Sequence, residues 1–583
     1  MKRIIIGILA GIGGTSLVLA LFLAIGLTAW LDSQSEPEEL PDSFVLTLRI
    51  NGDIPESVRR SPLEQALFRE VELSLLDYVD LIDRARDDAR VTGLVADVTN
   101  ARLGPGQAQE IRDAVFRFRA SGKPTTAFAE SFEGGNAPYY LATAFDQIWM
   151  QPSGIVGLTG VSLEIPLAGS LLEAHGVRAE FEQRHEFKGA LTSFTDQRLP
   201  EPIRQNLTQV AESLYAQIVE GIAGARKLSV KSVSTVIDRG PHTALEAASH
   251  GLIDKLGYNE DVLDSAGSNG TISEAAYFFD EIEDEEGLEA TEIALLHIDG
   301  DIRGGDAPPG FGGSQGAHSR TLVKALQEIE EDEDIQAIIL RISSPGGSYI
   351  ASDTIRDAIQ RLKDKGRLVV ASFGDVAASG GYFAALPADH IIAQPGSLTG
   401  SVGAVGGKFS VGRLLEKFDV SVARIEVGTN AGMFSPTRPF SERERERMAR
   451  ILDSIYDDFT SKVAEARRLT EGEVDAAARG RAFTGEDAQQ LGLVDLIGGY
   501  AVAKKLVRQS LNLTPSAPLE LVPFPKKEGS LSQVLSMASS LTIARLNTLL
   551  NFKADHAILA RSVLDEINVR QGVQARAWVP YIY

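Results

Sequence analysis

Apolar positions fall into distinct regimes along the chain. After Lys2 and Arg3, Ile4 to Trp30 run for twenty-seven residues without a charge. Wound as a helix, this segment is about 40 Å long against a hydrocarbon core of about 30 Å, so it predicts a tilted membrane span. The body that follows alternates two periods. Short runs rich in β-branched residues, AIILRI from Ala337, RLVVASF from Arg367 and HIIAQP from His390, are separated by stretches of helical spacing such as Ala351 through Leu362. Strands spaced by helices of this kind predict a parallel sheet with crossovers, and hence an α/β fold. RGGDAPPGFGGSQGAHS, residues 303–319, has no apolar period and reads as a loop that follows a strand and is placed to cover a site. Past Leu513, the residues Leu531, Val534, Leu535, Ala538, Leu541, Leu546, Leu549 and Leu550 predict an amphipathic helix in a tail that ends RAWVPYIY.

The body repeats itself. YYLATAFDQIWMQPSGIVGLTGV, from Tyr139 to Val161, aligns without a gap on YFAALPADHIIAQPGSLTGSVGA, from Tyr382 to Ala404, at an offset of 243 with eight of 23 positions identical. Composition alone would give roughly one or two. Downstream the offset is 241: SLYAQIVEGIAGARKL from Ser213 answers SIYDDFTSKVAEARRL from Ser454, and GLIDKLG from Gly251 answers GLVDLIG from Gly492. Upstream, VLTLRINGDI answers IALLHIDGDI. The expected organisation is an anchor over residues 1–32, a first repeat over 33–280, a second over 281–513 and a tail over 514–583. The repeats join at the acidic stretch DEIEDEEGLEATE.

Charge and composition narrow the function classes. Lys plus Arg number 57 against 80 Asp plus Glu, a formal net charge of −23 that repels phosphate backbones, so nucleic acid is not an expected partner. The chain has no cysteine, which removes disulfides, thiolate nucleophiles and sulfur-ligated metals. A cleavable signal peptide would have a shorter apolar region and a small residue two positions before Ala29, where Leu27 stands, so a retained anchor is expected. Cations precede the apolar segment and DSQSEPEELPD follows it, which leaves the bulk on the extracytoplasmic side.

Two short segments carry candidate chemistry. SSPGGS, Ser343 to Ser348, lies between a predicted strand and a predicted helix, where adjacent glycines can turn amide hydrogens toward a ligand. Some thirty residues later, Ser379 stands after a strand and directly before Gly380, Gly381 and a helix. Acyl-transfer enzymes expose a nucleophile at such a point because the next amide helps to hold an oxyanion; a helix-capping serine is the plain alternative.

SPGG followed by ASGGY and TGSVG resembles the signal peptide peptidase A family, in its long, membrane-anchored, duplicated bacterial form, from the anchor to about residue 513. The resemblance implies a tandem duplication of a crotonase-like domain, of the kind shared with the Clp proteolytic subunit. It implies a serine endopeptidase of the inner membrane, single-pass with its bulk in the periplasm, that degrades cleaved signal peptides and similar hydrophobic peptides as a homotetrameric bowl. In that family the general base is a lysine of the first repeat, in a segment like EFKGALTSF here. The resemblance therefore makes Ser379 the nucleophile, Lys188 the base and Ser401 the residue that orients it, with amides of Gly346, Gly347 and Gly380 as the oxyanion hole.

The repeat offers an independent test. Moved by 243 positions, Ser379 falls on Asn136, Ser401 on Leu158 and Lys188 on Ala431, while DVTNARLGPG stands where SPGG would be. Two intact sites are excluded, and one composite site between the repeats is expected. A lysine base must be neutral at working pH, which requires roughly 3–5 kcal/mol of differential solvation, and Phe187, Ala190, Leu191 and Phe194 are the apolar neighbours expected to supply it. His390, eleven residues from Ser379, falls inside a strand-like run opposite Gln147 and is not expected to act. No metal or nucleotide motif occurs, so no cofactor is expected. Two rival functions are a noncatalytic membrane-tethered scaffold, against which the Ser379, Lys188 and SPGG set argues, and an acyl-CoA enzyme, against which the extracytoplasmic address argues.

Overall fold

The computed structural model describes residues 40–58, 72–267, 270–280, 290–307, 316–525, 572–576 and 581–582. The expected anchor, the predicted tail helix and residues 308–315 of the Gly-rich loop lie outside them. Among the described residues no helix is long and apolar enough to cross a membrane.

Each repeat builds one sheet of mostly parallel strands. The first is six-stranded, in the order 255–256, 147–150, 125–129, 91–97, 44–49, 271–273, with every pairing parallel. The second is eight-stranded: 482–484, 398–400, 368–378, 337–344, 291–299 and 519–524 in sequence across the sheet, with 390–393 beside 368–378 and 496–497 beside 390–393. Only the edge strand 482–484 is antiparallel. AIILRISS, Ala337–Ser344, is buried at all but one position, as a strand with both faces covered must be. The mixed α/β architecture read from the strand-and-helix alternation is what forms. The second sheet runs on past Leu513, because the apolar run LELVPF, Leu519–Phe524, pairs with 291–299 as 271–273 pairs with 44–49 in the first.

The repeat holds at the level of single elements. Helices Glu201–Arg226 and Glu442–Arg467 are both 26 residues long, and the short helices Gly169–Ala174 and Gly412–Lys417 keep the offset of 243. Each repeat has its own principal core, one centred on Phe44, Ile111, Phe132 and Tyr139, the other on Ile342, Phe373, Tyr382 and Phe383.

Many contacts tie the repeats together, three kinds among them. Strand Arg178–Gln183 of the first pairs antiparallel with Val405–Ser410 of the second over six residue pairs. Asn206 and Ala482 exchange two amide hydrogen bonds of 2.9 Å. Arg341, 1% exposed in the middle of the second sheet, donates to Glu56 at 2.7 Å and to Glu110 at 2.9 Å, both from the first repeat. A buried cation between two buried carboxylates contributes more to alignment than to net stability, but removing one member leaves the others uncompensated. The docking of one repeat on the other is thereby fixed in register.

Candidate active site

Ser379 ends the strand Leu368–Ala378 and precedes the helix Gly380–Ala385. Its backbone has φ 53° and ψ −113°, a conformation that costs on the order of 1–3 kcal/mol for a residue with a Cβ. The strain is held by the hydrogen bond from its amide to the Gly400 carbonyl, 2.8 Å, and by the bond from the Phe383 amide to its own carbonyl, 2.8 Å. Its side chain makes no capping bond to the helix that follows, so capping does not account for this serine.

What the hydroxyl meets instead is Lys188. The lysine follows the strand Arg178–Gln183, whose pairing with Val405–Ser410 carries it across the junction between repeats. Its Nζ lies 2.7 Å from Ser379 Oγ, 2.7 Å from the Ser401 carbonyl and 3.0 Å from Ser401 Oγ. Lys188 and Ser379 are both fully buried, and burial holds the Lys188 amine well below the ordinary lysine range. A neutral amine has two N–H groups and one lone pair. With the two N–H groups on the Ser401 oxygens, the lone pair is free to take the Ser379 proton.

The sequence neighbours of Lys188 have further contacts of their own. Phe187 faces the Arg481 guanidinium, 4.0 Å from its ring centroid, and Phe194 packs edge-on against Phe409. Ala190 and Leu191 are buried against Val405 and Phe181. Backbone also closes on the lysine. A Cβ on Gly480 would lie 2.5 Å from the Lys188 amide nitrogen and 2.6 Å from its Cα, and one on Gly403 would lie 3.1 Å from Cδ. Gly480 also has φ +87°, so two requirements meet at one glycine. The Ser401 amide donates to the Arg481 carbonyl at 2.6 Å and the Gly480 amide to the Val402 carbonyl at 2.8 Å, which locks this wall to the Ser401 turn. Gly403 closes the TGSVG segment, whereas no sequence signal marks Gly480, whose role exists only once distant segments meet.

The glycine pair is in place. Gly346–Ser348 is a short strand, and Gly347, at φ +155°, passes so close to Ile302 that a side chain would collide with its backbone. The Gly346 amide is already engaged, donating to Ser344 Oγ at 3.1 Å. Gly380 is in the first turn of its helix, where an amide has no intrahelical acceptor. The tail strand Gly572–Arg576 lies between this segment and the Ser401 side of the site, antiparallel to Gly346–Ser348 on one edge and to Val405–Gly407 on the other.

The counterpart positions are dispersed. Asn136, in the place of Ser379, donates from Nδ2 to the Gly160 carbonyl at 2.8 Å; Leu158 is buried; Ala431 is exposed. His390 lies in strand His390–Ala393 and makes no hydrogen bond to Ser379. One residue that the sequence does not mark lies four positions before Ser379: Asp375 accepts from the Gln107 amide at 3.0 Å at the start of the first-repeat helix Pro105–Arg119. Burial, and then the charge of Glu56, push its carboxyl up to about 7. Among the described residues no cluster of His, Cys, Asp and Glu could hold a metal ion.

The chain is 30% identical to Protease 4 of Salmonella typhi over 84% of its length and 82% of the relative's. It is 26% identical to the chloroplastic serine protease SPPA of Arabidopsis thaliana over 91% of its own length and 77% of that protein's. Among solved structures, ClpP1 from Listeria monocytogenes has 16% identity and a TM-score of 0.22 over 35% of this chain and 91% of its own. The family model for Peptidase family S49 matches twice, over residues 117–272 and 361–514, once in each repeat and across more than half of the sequence. With its two matching repeats and its similarity to Protease 4 along most of its length, the chain belongs to peptidase family S49 and is a serine peptidase of the signal peptide peptidase A type.

Proposed function

We propose that this chain is a membrane-anchored endopeptidase that cuts cleaved signal peptides and similar hydrophobic peptides with a Ser-Lys dyad, acting as a homotetramer of crotonase-like repeats on the outer face of a bacterial inner membrane. The observation that carries the chemistry is the 2.7 Å contact between a fully buried lysine amine and a fully buried serine hydroxyl on a strained turn. Neutral Lys188 takes the Ser379 proton as Oγ attacks the peptide carbonyl carbon, and Ser401 holds the resulting ammonium. Gly347 and Gly380 suit the oxyanion better than Gly346, whose amide has a partner. Lys188 then gives the proton to the leaving amine, and water enters by the same route to release the acyl group. An extended substrate fits between Gly346–Ser348 and Val405–Gly407, the course that Gly572–Arg576 follows. The anchor, the address and the number of copies rest on the charge pattern of the first thirty residues and on the family likeness.

A fluorophosphonate probe on the full chain in detergent tests this reading. Labelling should map to Ser379, and hydrolysis of a signal-peptide substrate should vanish in Ser379→Ala and in Lys188→Ala, both with unchanged melting temperature. Retained hydrolysis in Lys188→Ala would remove the dyad, and no labelling with no hydrolysis would leave a scaffold.

A further inference from the structure

The repeat leaves one strand without its partner. In the first repeat, the arm strand Arg178–Gln183 pairs with Val405–Ser410 of the second. Its counterpart, residues 421–426, follows an identically built turn: the Val177 amide donates to the Leu172 carbonyl at 2.9 Å, and the Val420 amide to Leu415 at 3.0 Å, with Gly176 and Asp419 both in the left-handed region. This second arm pairs with nothing among the described residues, and its apolar side chains stand in solvent: Phe418 is 72% exposed, Ile425 98% and Val427 92%. The counterpart of Val405–Ser410 is residues 162–167. One edge of its short strand Leu163–Glu164 takes Tyr581–Ile582, and it has no second partner among the described residues, whereas Val405–Ser410 is paired on both edges.

We infer that the second arm pairs antiparallel with residues 162–167 of a second copy of this chain, in the register that the first arm already uses. This deepens the self-association in the proposed function and is independent of the dyad. Moving the observed pairs Gly406 with Glu182 and Gly407 with Phe181 by 243 positions sets Ile425 opposite Leu163 and Arg424 opposite Glu164. The bond from the Arg184 amide to the Ala404 carbonyl becomes one from Val427 to Val161 of the second copy. Directly opposed residues of antiparallel strands share a face, so the transferred register joins apolar to apolar and cation to carboxylate. Neither Arg424 nor Glu164 has an ion-pair partner among the described residues. Val161, Leu163 and Ile165 also line an apolar hollow of about 370 Å³ with Leu199, Leu207 and Tyr215, and Ile425 and Ala423 fall on that face. The joint is heterologous, arm to cradle, so each copy offers both halves and the contact propagates from copy to copy.

The absence of native cysteine makes the register directly testable. In the full-length chain in detergent, Leu163→Cys with Ile425→Cys should on oxidation give a ladder at multiples of the chain mass that reductant collapses, while either single change should give none. Arg424→Glu or Glu164→Arg should weaken association roughly tenfold or more by sedimentation, and the two together should restore it. A double-cysteine chain that stays at monomer mass after oxidation, or wild-type chains that sediment as monomers, would overturn the inference. Peptide hydrolysis, read on the same samples, separates this from the fate of the dyad: active protein without a ladder loses only the joint, and a ladder without activity loses only the chemistry.

Discussion

Ser401→Ala removes one of the two oxygens on which Lys188 Nζ rests and leaves the other. The Ser401 carbonyl at 2.7 Å is backbone and survives, whereas the hydroxyl at 3.0 Å is lost. A hydrogen bond from a neutral amine contributes about 1 kcal/mol and one from an ammonium about 1.5–3 kcal/mol, so the bond strengthens by about 0.5–2 kcal/mol as Lys188 acquires the proton. That difference is what the transition state loses, and at 1.36 kcal/mol per factor of ten it lowers kcat/KM about 2–30-fold. The same difference has a second consequence. The hydroxyl favours the charged lysine over the neutral one, so its removal pushes the Lys188 amine further below its ordinary range, in the direction burial already sets. The acidic limb of the kcat/KM profile should therefore move to lower pH while the plateau falls. Hydrolysis of a fluorogenic peptide across the pH range, with melting temperature as a control, reads both effects. A limb that moves to higher pH, or a loss as deep as that of Lys188→Ala, would refute the assignment of Ser401 as the support of the protonated amine.

Three further outcomes are expected. Gly480→Ala should cost at least about tenfold in kcat together with a lower melting temperature, because the new Cβ meets the Lys188 backbone at 2.5 Å and a left-handed φ; wild-type turnover would show that the wall yields. Asp375 holds its proton to about pH 7 in the fold but only to about 3.9 in an unfolded chain, so the folded state loses stability as pH rises through that interval, and Asp375→Asn should gain melting temperature relative to wild type between pH 5 and 8; parallel curves would exclude it. Ending the chain at residue 571 removes the strand Gly572–Arg576 from between Gly346–Ser348 and Val405–Gly407, and the apparent KM for short peptides should fall several-fold; an unchanged KM would mean that the strand does not compete with substrate.

Much of this site was readable in the sequence, and the unreadable part has a common cause. Strands and helices follow from local periods, and Ala337–Ser344 or the helix after Ser348 are where a run of β-branched residues and a capping serine put them. Ser379 was marked by its position before Gly380 and Gly381. Lys188 was marked by resemblance and by the complementary loss at Ala431, never by spacing, since 191 residues separate it from Ser379. Part of the wall that buries the lysine comes from Gly480 and Gly403, in segments hundreds of residues away. Asp375, Arg341, Glu56 and Glu110 were invisible for the same reason, because a buried charge network between repeats has no period and no local motif.

The geometry also explains why duplication leaves room for one dyad only. Lysine and serine meet because the first arm is paired with the second repeat, so the proposed joint between copies would likewise present a lysine position to a serine position of the neighbouring repeat. Within a chain, covalent linkage holds that joint at a high effective concentration, and a dyad there is assembled whenever the chain folds. At a joint between copies the equivalent positions hold Ala431 and Asn136, and the register transfers with Leu163, Ile425, Glu164 and Arg424 in the strands themselves. A dyad there would be complete only in the assembled state and would require a second buried lysine, strained serine and glycine wall, each of which costs stability. Without those groups the second joint is open to selection for adhesion alone, which fits an arm that shares the turn of the first and carries Ile425 and Val427 where the first has Glu182 and Arg184.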